Sequence, residues 1–133
     1  MMGKPTLADV AKYLHEWISR NPGAVDKCLG TVRWACNEAG MRLPLSGVDY
    51  DGDFAITCGQ TLAKKPGEWG WKLLGTDAAA IPAGTLVLVF FETDNPAGHI
   101  AVYNPATGNL ISDNIYAWDS WWSVRVRFVF IPA

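Results

Sequence analysis

The chain predicts an α+β domain in which N-terminal helices pack on an antiparallel β-sheet. Three observations carry that reading. Two amphipathic helical stripes fill the first forty residues, a continuous apolar run (T-L-V-L-V-F-F) occupies 85–91, and short apolar segments separated by turn formers fill the remainder. At 133 residues, half of them hydrophobic and 18% charged, the chain is long enough for one core and reads as a single domain over 1–133.

The elements follow in order. Thr6 is a good N-cap, with Asp9 in the capping-box position, and Leu7, Val10, Ala11, Leu14, Trp17 and Ile18 recur at helical spacing. His15 falls on the polar side of that helix, which Asn21-Pro22-Gly23 ends. A second helix runs from Cys28 to Ala39 and stops at Gly40, with Val32, Ala35, Cys36 and Ala39 as its buried stripe. From Met41 to Pro82 the pattern is rich in turns, with one short helix around Phe54 to Lys64. Trp69, Trp71, Leu73 and Leu74 demand burial there and exclude a flexible linker.

The run at 85–91 reads as a strand covered on both faces. H-I-A-V-Y and L-I-S-D-N flank N-P-A-T-G-N and should pair as a hairpin. Val124, Val126, Phe128 and Phe130 alternate with Arg125, Arg127 and Val129, which predicts a last strand with one core face.

Charge and length bound the partners. A net charge of −2 gives no electrostatic ground for a nucleic-acid partner. No apolar stretch approaches the roughly 20 residues that span a bilayer, and M-M-G-K-P-T-L at the start lacks the apolar run of a signal peptide.

The chemistry centres on Cys28 and His99. A thiol at a helix N-terminus feels the positive end of the backbone dipole, which favours thiolate. A histidine fixed at the head of a strand is the usual base for such a nucleophile, and helix-on-sheet packing can bring the two within hydrogen-bond reach. The base then needs a polar group to hold its ring, and Ser112, Asp113 and Asn114 stand in a row on the neighbouring hairpin strand. Cys36 and Cys58 read as packed thiols. Zinc is disfavoured because no C-x-x-C pair is present. Asp49 to Asp53, D-Y-D-G-D, reads as a solvated acidic turn, since its glycine is misplaced for a calcium loop and Gln60 stands at position twelve. Trp118, Trp121 and Trp122 suit walling a groove that stacks on sugar rings or aliphatic stems, and equally suit covering the core.

Three words in order, C-L-G-T-V-R-W-A-C-N-E-A-G-M-R-L-P, I-P-A-G-T-L-V-L-V-F-F and G-H-I-A-V-Y, resemble the NlpC-type cell-wall peptidases and related cysteine, histidine-dependent amidohydrolases. The resemblance spans roughly Asp26 to Asn114. It implies a papain-like core, and cleavage of peptide or amide bonds in peptidoglycan stem peptides without a metal or organic cofactor. By position it implies Cys28 as nucleophile and His99 as general base, with Asp113 first and Asn114 second as the residue orienting the imidazole. Backbone amides near Gly30 would stabilise the oxyanion, and Trp118, Trp121 and Trp122 would line the substrate groove. The chain departs from the family at Lys27 and Leu29, where Asp and Ser are usual, and Lys27 is placed to favour the thiolate.

A peptidoglycan endopeptidase or amidase without a signal peptide suits an antibacterial effector or a phage lytic enzyme, with a delivery or immunity protein as partner. Two other uses fit the same residues: a non-catalytic wall-binding module, and a cysteine acyltransferase or deamidase acting on protein side chains.

Overall fold

The computed structural model describes residues 4–25, 27–44 and 54–133; the acidic turn at Asp49–Asp53 lies outside them. Helix α1 (Leu7–Arg20) starts at the expected capping box. The Thr6 hydroxyl accepts the Asp9 N–H at 3.2 Å, and the Asp9 carboxylate accepts the Thr6 N–H at 3.3 Å. Leu7, Val10 and Leu14 are buried on its inner side, and His15 is exposed. Helix α2 (Cys28–Glu38) buries Leu29, Thr31, Val32, Ala35 and Cys36. It stops before Gly40, whose φ of 84° is the left-handed closure that glycine adopts without strain. Helix α3 (Ala55–Lys64) is the short helix expected from the sequence, and Cys36 and Cys58 are buried, as packed cysteines.

Six strands follow: β1 (Trp71–Gly75), β2 (Val87–Phe91), β3 (His99–Asn104), β4 (Asn109–Ile111), β5 (Ile115–Ala117) and β6 (Val126–Pro132). They form one sheet in the order β1-β6-β2-β3-β4-β5, antiparallel throughout. The hairpin of β3 and β4 pairs Val102 with Ile111 and Asn104 with Asn109, as the turn-rich loop between them requires. Strand β6 returns to insert between β1 and β2, so the sheet is a meander with one strand folded back into it.

The sheet has a core on each face. On one, α1, α2 and α3 pack Leu14, Val32, Cys58 and Leu62 against Leu88, Phe90, Ile100, Val102 and Phe130. On the other, Val87, Val89, Phe91, Ala101, Tyr103, Val126 and Val129 are covered by Ala78, Ala80, Ile81, Tyr116, Trp118 and Trp122. Strand β2 is therefore buried at every position, as its unbroken apolar run predicts.

Three expectations need correction. Val124 is no part of the last strand; it caps the short helix α4 (Ser120–Ser123) and is 69% exposed. Strand β6 also has two core faces rather than one. Phe90 pairs with Phe128 but Phe91 pairs with Val126, so Arg127 is an extra residue. That bulge turns Val126 and Val129 to one core and Phe128 and Phe130 to the other. Finally, the 41–82 stretch holds a strand, β1, in which Trp71 is fully enclosed and its indole N–H donates to the Arg42 carbonyl at 2.7 Å. No helix among the described residues is long and apolar enough to cross a membrane.

Candidate active site

Cys28 is the first residue of α2, and Lys27 before it gives that helix no side-chain cap. The Asp113 carboxylate takes that place from across the fold: its Oδ2 accepts the Lys27 N–H at 2.9 Å. The first bond of the helical ladder runs from the Thr31 N–H to the Lys27 carbonyl, so the amides of Cys28, Leu29 and Gly30 lie ahead of it. The backbone N–H groups of Ile100, of Leu29 and of Cys28 itself act on the Cys28 sulfur and favour its charged form.

Burial acts hardest on that thiol and raises its pKa. The Ile100 N–H pulls the other way, the Asp113 charge adds to the rise, and the two helix-end amides lower it; the thiol is pushed up to about 11. The amides that favour a thiolate are thus opposed by burial, which acts more strongly on this thiol. The exposed Lys27 is not among the groups that act on the sulfur.

His99 opens β3 from Gly98. Its ring lies among Phe91, Tyr116 and Trp122, with centroids at 6.0, 5.4 and 5.0 Å. Burial in that aromatic setting lowers its pKa to about 4, against an opposing pull from Asp113. Near neutrality both Cys28 and His99 rest uncharged. Among the described residues no hydrogen bond joins the thiol to the ring. The sulfur is met by backbone amides, and Nε2 lies 3.3 Å from the Ser112 hydroxyl.

The polar group against His99 is thus Ser112, and both sequence choices are corrected. Strand β4 ends at Ile111, and Ser112-Asp113-Asn114 turns the chain into β5. Asp113, 2% exposed, lies one bond further out: its Oδ1 accepts the Ser112 hydroxyl at 3.1 Å and the Tyr116 hydroxyl at 3.2 Å. The Asn114 side chain accepts the Ile115 N–H at 2.8 Å and makes no bond to the ring. Ser112 stands in the row of three polar residues in the sequence, where nothing local ranks it above the carboxylate beside it.

Cys28, Gly30, His99 and Asp113 line one cleft of about 980 Å³, walled by Trp121 and Trp122 among others. Trp121 is 42% exposed, and the Arg125 guanidinium sits 3.9 Å over its ring. Trp118 is corrected: it stacks on Tyr103 at 4.3 Å within the second core and does not line this cleft. Asp119 caps α4 through the Trp121 and Trp122 N–H groups, at 2.9 and 3.3 Å, and so aims both tryptophans together. Among the described residues no group of three or more His, Cys, Asp or Glu side chains is placed to hold a metal ion. Comparison of the chain with protein-family models, with curated proteins and with solved structures finds no match in any of the three.

Proposed function

We propose that this protein is a cysteine hydrolase with a papain-like core that cleaves peptide or amide bonds in peptidoglycan stem peptides. One observation carries the reading: a thiol at a helix N-terminus and an imidazole at a strand head open into the same cleft, with spare backbone amides at the thiol.

In the proposed cycle His99 takes the Cys28 proton as the sulfur attacks the amide carbonyl. The carbonyl oxygen gains the negative charge, and amides of the Cys28–Gly30 turn receive it. His99 then gives its proton to the leaving nitrogen, the C–N bond breaks, and a thioester remains on Cys28. Water, deprotonated by His99, attacks the thioester; the C–S bond breaks, the carboxylic acid leaves and His99 returns the proton to sulfur. Burial favours the neutral form of both groups, so the proton moves from Cys28 to His99 as part of the cycle.

Mass spectrometry of peptidoglycan incubated with the wild type and with Cys28→Ala tests the proposal. New muropeptides with the wild type alone are the expected result and identify the bond cut. Folded protein that releases none from walls of several chemotypes overturns it, in favour of wall binding or acyl transfer to protein side chains.

A further inference from the structure

The hydrogen-bond chain behind His99 has one consistent set of proton positions. Asp113 Oδ1 lies 3.1 Å from Ser112 Oγ, and a carboxylate only accepts, so the single hydroxyl proton of Ser112 belongs to that bond. The same Ser112 oxygen lies 3.3 Å from His99 Nε2 and has only lone pairs left to offer. Nε2 must then be the donor, which leaves the lone pair of a neutral ring on Nδ1.

We infer that Ser112 is the positioning residue that sets the tautomer of His99, so that Nδ1 is the atom that takes the Cys28 proton, while the hydrogen-bonded link from Asp113 to the ring runs through Ser112. The arrangement serves both protonation states, because a protonated ring also donates from Nε2 and nothing in the chain has to reorient. Asp113 does a second task with its other oxygen. By accepting the Lys27 N–H it ties the turn that orients the base to the helix end that carries the nucleophile. The kinetic part of this inference rests on the hydrolase reading; the tautomer does not.

The test is a long-range ¹⁵N–¹H correlation of the imidazole nitrogens at neutral pH on the full chain. The chain has two histidines, and the exposed His15 serves as an internal comparison. The wild type should show His99 as the single Nε2–H tautomer. Ser112→Ala should shift it to a mixture or to Nδ1–H, and Ser112→Thr should restore it. On a cleaved muropeptide, Ser112→Ala should lower kcat roughly 10- to 100-fold with KM little changed, and Ser112→Thr should recover most of that loss. An Nδ1–H tautomer in the wild type overturns the inference, as does an unchanged His99 spectrum in Ser112→Ala. If the alanine variant does not fold, the wild-type and threonine spectra still decide the tautomer. A wild type with the inferred tautomer and no hydrolysis sinks the peptidase reading and leaves the relay standing.

Discussion

Burial moves the Cys28 thiol and the His99 ring in opposite directions on the pH scale, to about 11 and about 4, and that has a cost the whole protein feels. An unfolded histidine binds its proton near pH 6.5, whereas the folded chain resists protonating His99 until about pH 4. Between those values the unfolded state holds more protons, so stability is full above pH 6.5 and falls as the pH drops through the window. The loss amounts to about 3 kcal/mol at the acid end. Denaturant titrations of the wild type and His99→Gln at pH 7 and pH 4 should show the wild type losing about 3 kcal/mol more than the variant. Parallel losses would mean that the ring is solvated and titrates normally. Cys28 and His99 themselves were legible in the sequence, because their types and positions are local facts. Their protonation states were not, since desolvation depends on what the rest of the chain lays over them. The identity of the orienting group was hidden for a similar reason: turn geometry alone decides which of Ser112, Asp113 and Asn114 reaches the ring.

The link from α3 through β2 to β3 is where the placement of His99 is decided. Gly98, at φ 71°, turns the chain into β3, and its Cα faces the Phe91 carbonyl and Ile56. A Cβ there would stand 2.6 Å from that carbonyl oxygen and 3.0 Å from the Ile56 Cβ, in a backbone conformation that L residues seldom adopt. Neither neighbour yields easily, because Phe91 pairs with His99 across the sheet and the Ile56 N–H donates to the Ala97 carbonyl at 2.9 Å. Gly98→Ala should therefore cost more than about 2 kcal/mol and displace His99 from Ser112. Calorimetry would read the first effect, and muropeptide release by the remaining folded protein the second. Stability and activity both near wild type would show that the turn can re-form without glycine. The helices and the β3–β4 hairpin were legible because capping residues, apolar periodicity and turn formers act over a few positions. Strand β1, the bulge at Arg127 and helix α4 were not, since each exists only through its partner: β6 for β1, β2 for the bulge, and the second core for the tryptophans of α4.

Across the whole molecule, the sheet divides the tryptophans that follow β4 into structural and cleft-lining roles, although they sit within five positions of one another. A sheet buried on both faces needs cover on the side the helices leave open, and in so short a chain that cover comes from large rings on connecting segments. Trp118 stacks on Tyr103 and lies 6.2 Å from Phe91, packed against the second core. Trp121 stands on α4 with Arg125 over its ring and Trp122 at its edge, 42% exposed at the cleft. Removing Trp118 takes a partly buried ring off a packed layer, and Trp118→Ala should cost about 1–3 kcal/mol. Trp121→Ala removes a half-solvated ring and should change stability by under about 0.5 kcal/mol while raising KM for a cleaved muropeptide. Thermal unfolding and steady-state kinetics on the two variants separate the roles. If Trp118→Ala were stable and raised KM while Trp121→Ala unfolded, the face assigned to the substrate would be the wrong one.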